Sequence, residues 1–194
     1  MNLTMLWIFV GAALVILAAM FLRKKLPVGP TVPDALKKGK LLPDFSAVHE
    51  DGSTVSSSEL RGKPSVILFV RGNWCPFCTK QVEEVTAHYK DLNNLGARLI
   101  FVTPKPLDTT RRVAEFFDLK FDFWLDESLA IAGTLGLTMP DGVPGGWAKE
   151  YGHDTAWPTA LIVDENGIIQ YSKISRLIFD RPNSEALVKE LRKL

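Results

Sequence analysis

One stretch limits this chain more than any other: the run Val66-Ile67-Leu68-Phe69-Val70 leads almost directly into Cys75-Pro76-Phe77-Cys78. An unbroken β-branched and aromatic run of that length predicts a strand covered on both faces. From Pro76 to about Asn94, Val82, Val85, Tyr89 and Leu92 recur at helical spacing, with proline suited to the first turn and Gly96 as a stop. The two cysteines of the chain therefore fall where a strand hands over to a helix. A helix start presents unpaired N–H groups and a partial positive charge, and both favour thiolate. Such sites bring a cysteine from a pKa of about 8.5 into the range of roughly 3.5 to 7.5. On this spacing Cys75, at the more exposed end, is the expected nucleophile, and Cys78, one turn further in, is expected to resolve a mixed disulfide. Pro76 and Phe77 between them are expected to tune the redox potential.

The rest of the chain alternates in a way that builds a sheet around this junction. Leu99-Ile100-Phe101-Val102 reads as a second buried strand, and Thr110 to Phe117 and Ser128 to Leu135 read as helices linked through Phe121-Asp122-Phe123-Trp124. Thr159 to Val163 and Ile168 to Ile174 form two strands around the Asn166-Gly167 turn, and Ser184 to Leu194 closes as an amphipathic helix. Upstream, Glu50-Asp51-Gly52-Ser53 offers a hairpin turn, and Ser56 to Leu60 offers a short serine-capped helical turn. Strand and helix in this order predict an α/β fold with a largely parallel sheet.

The N-terminus carries a separate signal. Leu3 to Leu22 holds no charged side chain and is followed by Arg23, Lys24 and Lys25, a pattern expected of an uncleaved transmembrane helix rather than a signal peptide. Residues 1–25 are thus read as an anchor, 26–42 as a proline- and glycine-punctuated linker, and 43–194 as one domain. Basic residues follow the span and none precedes it, so the positive-inside rule places the domain on the cytoplasmic side; an extracytoplasmic domain is the alternative. Lysine plus arginine (23) nearly balance aspartate plus glutamate (22), which gives no reason to expect a nucleic-acid partner.

Zinc needs about four ligands, whereas the chain has one cysteine pair and the scattered His49, His88 and His153. No metal and no cofactor are expected. The function expected is thiol-disulfide exchange with a protein or small-molecule disulfide, the pair being reset by an external thiol reductant. A thiol peroxidase is the alternative, and a redox-sensing or metal-binding module without turnover is a further one.

The segment Arg71-Gly72-Asn73-Trp74-Cys75-Pro76-Phe77-Cys78 resembles the redoxin branch of the thioredoxin-like superfamily, which includes the AhpC/TSA proteins. Asp51-Gly52 with Glu59-Leu60-Arg61-Gly62-Lys63-Pro64, and Trp157-Pro158-Thr159-Ala160-Leu161-Ile162-Val163-Asp164 with Gly167, extend the likeness across Pro43 to Leu194. The resemblance implies a three-layer α/β sandwich on a mixed sheet of four or five strands. It also implies Pro158 as a cis-proline facing the cysteines, Trp74, Pro76 and Trp157 as neighbours of the substrate, and Arg71 as an auxiliary charge.

The sequence departs from that pattern in three places. Peroxidases of the group carry a threonine three positions before their reactive cysteine and a later arginine; here Cys75 and Pro158 stand in those places, which favours disulfide exchange. Thioredoxins carry a buried acid where this chain has Phe69, leaving Lys80, Glu83 and Glu84 as candidate bases by proximity. The glycine-rich stretch from Thr138 to Thr155 is expected to shape a substrate groove or lid.

Overall fold

A computed structural model describes residues 3–25, 28–105 and 121–194. Seven strands form one mixed sheet: β1 (Ser46–His49), β2 (Thr54–Ser56), β3 (Ser65–Phe69), β4 (Arg98–Thr103), β5 (Asp122–Leu125), β8 (Thr159–Val163) and β9 (Ile169–Ile174), in the order β2-β1-β5-β4-β3-β8-β9. β3, β4 and β5 run parallel, whereas β8 and β9 complete one side and β1 and β2 the other in antiparallel pairing. Two further short strands, β6 (Thr138–Met139) and β7 (Thr155–Ala156), pair apart from this sheet and close the base of the glycine-rich segment.

The sheet is wider than the four or five strands expected, partly because Asp122–Leu125, read as a link, forms the strand β5 beside β4. Its Phe123 and Trp124 are buried and face opposite sides, so an apolar pair that looked like a connection is covered on both faces. The hairpin of β1 and β2 forms over Asp51–Gly52 as expected. The turn after it is a 3₁₀ helix, Ser57–Leu60, whose Ser56 hydroxyl accepts from Ser58 N–H while the Glu59 carboxylate accepts from Ser56 N–H.

The helix expected over Pro76 to Asn94 is divided. It consists of α2 (Pro76–Ala87) and α3 (Tyr89–Asn94), with His88 leaving helical geometry at φ −103° and ψ 12°. The helix expected over Ser128 to Leu135 is shorter, α4 (Ala130–Thr134), because Leu129 adopts the left-handed region at its start and Asp126 accepts hydrogen bonds from the Ile131 and Ala132 amides. α5 (Ala148–Tyr151) lies in the glycine-rich segment, and α6 (Ser184–Leu191), capped by Asn183, closes the chain. The helix expected over Thr110 to Phe117 lies outside the described residues.

At the N-terminus the backbone of Leu3–Lys25 is helical and forms α1. The expected span is not found, however: among the described residues no helix is long and apolar enough to cross a membrane. The stretch read as a linker is packed from Gly29 onward. Gly29 N–H donates to the Arg176 carbonyl, Gly39 N–H to that of Ile169 and Leu42 N–H to that of Gly167. Leu36 and Leu42 are buried in the core.

Strand alternation divides the interior into two cores, one on each face of the sheet. Ile67, Phe69, Ile100, Val102, Leu161 and Val163 belong to one face. Val66, Leu68, Val70, Phe101, Ala160 and Ile162 belong to the other, and Cys75, Cys78 and α2 pack there.

Candidate active site

β3 ends at Phe69, and six residues later the chain has turned so that Cys75 is the N-cap of α2, with Pro76 at the first helical position. Cys78 N–H donates to the Cys75 carbonyl at 2.9 Å, closing that first turn. Both cysteines are free thiols, and each is only 1% exposed. Cys75, expected at the more exposed end of the pair, is covered in this conformation. It belongs to the same buried cluster as Val70, Val82 and Ala160, on the covered face of the sheet.

The two thiols nevertheless differ sharply in acidity. A hydrogen bond from the Cys78 thiol brings Cys75 down from 9.0 to about 6, against burial and with help from the Cys78 N–H and the charges of Arg181 and Arg71. Burial pushes the Cys78 thiol well up, and the bond it gives to Cys75 pushes it further. Cys75 is therefore the more acidic thiol of the pair and Cys78 the less acidic.

Two guanidinium groups stand over this pair. Arg181 Nη2 lies 3.5 Å from Cys78 Sγ and 3.8 Å from Cys75 Sγ. Its Nη1 donates to Gln81 Oε1 at 2.8 Å and its Nε to the Ile178 carbonyl at 3.0 Å. Arg71 donates its backbone N–H to Cys78 Sγ at 3.3 Å. Its side chain is 4% exposed, lies 4.5 Å above the Trp74 ring, and donates to the Gly142 carbonyl. Burial lowers the pKa of that guanidinium, and the charge of Cys75 and Cys78 opposes the shift.

The expected site residues divide cleanly. Arg71, Trp74, Cys75, Pro76 and Cys78 come together at the strand-to-helix turn, where Trp74 also meets Tyr151 edge to face and Tyr151 O–H donates to Asn73 Oδ1 at 2.5 Å. The glycine-rich segment thus touches the cysteine turn at two points, the Gly142 carbonyl and Tyr151. Pro158 follows the cysteine face by strand alternation, one residue before the Thr159–Phe69 pair. It is not cis, since no cis peptide bond occurs among the described residues. Trp157 N–H bonds the Leu137 carbonyl and the Pro158 carbonyl accepts from Ser175 N–H, so extended backbone carries straight through the proline into β8. Trp157 faces the opposite core, against Gly29, and does not flank the sulfurs.

Lys80 and Glu84 pair with each other at 3.7 Å on an open helix face, and neither of them, nor Glu83, bonds a sulfur among the described contacts. Phe69 packs on the face away from the cysteines. Sequence reasoning missed Arg181 and Gln81. Gln81 had a signal, lying three residues after Cys78 and so on the same side of α2. Arg181 had none: it is 106 and 103 positions from the two cysteines, and only the fold brings it there. Among the described residues no group of three or more His, Cys, Asp or Glu side chains is placed to hold a metal.

A mixed sheet that delivers a Cys-x-x-Cys pair to a helix start defines the class of thioredoxin-like redox domains. Within it, the AhpC/TSA family profile matches residues 38–172, and the chain belongs to that family. It is 28% identical over 136 residues to the chloroplastic peroxiredoxin Q of Triticum aestivum, covering 70% of this chain and 58% of the wheat protein. The match therefore spans less than two thirds of that relative. Its fold is that of the peroxidoxin BcpB of Mycobacterium tuberculosis, with a TM-score of 0.64 at 17% identity over 82% of this chain and 98% of the other. It is likewise that of Enterococcus faecalis AhpC, with a TM-score of 0.62 at 22% identity over 80% and 90%.

Proposed function

We propose that this chain is a thiol-dependent peroxidase in which Cys75 attacks the peroxide and Cys78 then closes a disulfide with it. The observation that carries this reading is a buried thiol pair, each 1% exposed, in which Arg181 faces both sulfurs and the Cys78 hydrogen bond draws the Cys75 pKa down to about 6. A sulfur this covered suits a small oxidant better than a folded protein disulfide. Family membership and the peroxiredoxin relatives support a thiol peroxidase. The family's reactive cysteine aligns with Cys78, so the assignment of the attack to Cys75 rests on the lower pKa of that thiol. An external thiol reductant, acting once the turn has opened, would return the pair to dithiol.

Direct disulfide exchange is the second reading, favoured by the Cys-x-x-Cys spacing and by Cys75 standing where the family's peroxidases carry threonine. The two separate by comparing kcat/KM for hydrogen peroxide with that for a protein disulfide such as insulin, using dithiothreitol as common reductant. A clear preference for peroxide supports the first reading. A preference for insulin overturns it.

We also propose that α1 tethers the domain to a membrane, with the catalytic domain on the cytoplasmic side. The uncharged run Leu3 to Leu22, the basic residues after it, and the exposed Trp7, Ile8, Phe9 and Leu14 support this. Carbonate extraction that releases the full chain into the supernatant would sink the tether. Labelling of the domain by an impermeant reagent in intact cells would place it outside.

A further inference from the structure

We propose that Arg181 is a catalytic residue of this site, filling the role left open where Pro158 replaces the family's arginine, and that Gln81 is the positioning residue that aims it. The inference rests on the peroxidase reading and adds to it a group that the family likeness does not supply, since the family match ends at residue 172.

Three contacts fix the guanidinium. It is a planar fork whose donors cannot turn independently of one another. Its Nε is committed to the Ile178 carbonyl and its Nη1 to Gln81 Oε1, which leaves Nη2 directed at both sulfurs. Gln81 is 3% exposed on the sulfur side of α2. A buried amide is costly to leave unpaired, and its oxygen here is satisfied by Arg181. The loop carrying Arg181 is tied on both sides. Asp180 pairs with Lys173 at 2.8 Å, and Asn183 caps α6 at 2.8 Å. Arg71, the other nearby guanidinium, donates to the Gly142 carbonyl and lies over the Trp74 ring, and its charge adds to that of Arg181 at Cys75. Arg181 also borders an open cavity of about 380 Å³ lined by Phe77, Lys80, Gln81, Glu84 and Phe179, which leaves one side of its guanidinium near the surface.

The chemistry needs a cation in that place twice. In the first step the Cys75 thiolate attacks the nearer peroxide oxygen, so that an S–O bond forms and the O–O bond breaks. The electron pair leaves on the far oxygen, which water protonates. Negative charge moves from sulfur to oxygen, and a donor that touches the sulfur beforehand can follow it without reorganising. In the second step Cys78 sulfur attacks the Cys75 sulfenic acid. An S–S bond forms, the S–O bond breaks, and the hydroxide leaves as water with the Cys78 proton. A guanidinium facing both sulfurs lowers the cost of ionising Cys78 at that moment.

The test uses the full chain with Arg181→Gln, Arg181→Lys, Gln81→Leu and Gln81→Glu, read by kcat/KM for hydrogen peroxide and by the pH midpoint of Cys75 alkylation. Arg181→Gln is expected to lower kcat/KM by roughly 10²- to 10³-fold and to raise the midpoint, with Arg181→Lys recovering part of both. Gln81→Leu is expected to move both readouts in the same direction but less, and Gln81→Glu, which keeps an acceptor but sets a negative charge against Arg181, to raise the midpoint further than Gln81→Leu does. Arg181→Gln with turnover within twofold of wild type and an unmoved midpoint overturns the proposal. A wild-type chain inert to peroxide whose midpoint still moves in Arg181→Gln sinks the peroxidase reading while upholding the arginine's hold on the sulfurs.

Discussion

The pH dependence of Cys75 reactivity follows from the structure closely enough to be worked through. With a pKa of about 6 in place of 9.0, Cys75 is ~90% thiolate at pH 7, against ~1% for an ordinary thiol, a gain of ~90-fold in reactive form. Nucleophilicity falls with basicity, and a Brønsted coefficient of about 0.45 over ~3 units removes ~20-fold of that gain. The net advantage at pH 7 is therefore only ~4-fold, and burial slows the absolute rate further. The shape of the profile is thus the diagnostic quantity. Alkylation of Cys75 by iodoacetamide, followed by mass spectrometry of its peptide from pH 4 to 10, should rise through about pH 6 and plateau above pH ~7. In Cys78→Ala, which removes the largest cause of the shift, the midpoint should move up toward 9.0. A wild-type rate that keeps rising through pH 8 and 9 would refute the reasoning, and an unshifted midpoint in Cys78→Ala would refute its assigned cause.

Further outcomes follow from the same geometry. Because Cys75 ionises more readily folded than unfolded, its stabilisation of the reduced chain is complete above the unfolded value of 9.0 and is lost as pH falls through about 6. Urea midpoints of the reduced chain should therefore rise from pH 6 to 9, by at most ~1.4 kcal/mol per unit from this group, whereas those of Cys75→Ser should lack that slope. Leu161→Ala, at a wholly buried position in the central sheet, should cost roughly 2 to 5 kcal/mol by denaturant titration. Gly72 sits at φ +126°, and an added Cβ would meet the Tyr151 ring at 2.8 Å. Gly72→Ala should consequently strain the cysteine turn and speed alkylation of Cys75 by displacing the glycine-rich segment. Ser56→Ala should cost about 0.5 to 2 kcal/mol through loss of the cap.

What the sequence could disclose was local. The Val66–Val70 run, the helical period after Pro76 and the Asn166-Gly167 turn each encode an element through residues near one another, and each formed. Pairing over longer distances was harder to read. Asp122–Leu125 is a strand because β4 lies beside it, and Pro158 stays trans because Leu137 and Ser175 hold extended backbone on either side. Trp157 was assigned to the sulfurs from its place beside Pro158, but a period of two residues turns it to the other face. The difference between the cysteines was equally out of reach. A helix start predicts a lowered thiol without saying that its partner's hydrogen bond leads the shift, or that a guanidinium about a hundred positions away arrives at both sulfurs.

The account is tested most directly by single-turnover reaction of the reduced chain with hydrogen peroxide in Cys75→Ser and Cys78→Ser, with dimedone present to trap sulfenic acid. The prediction is that Cys78→Ser reacts at close to the wild-type rate and stops as a dimedone adduct on Cys75, while Cys75→Ser is nearly inert. An adduct on Cys78 forming at full speed in Cys75→Ser would assign the attack to the other sulfur and contradict the account.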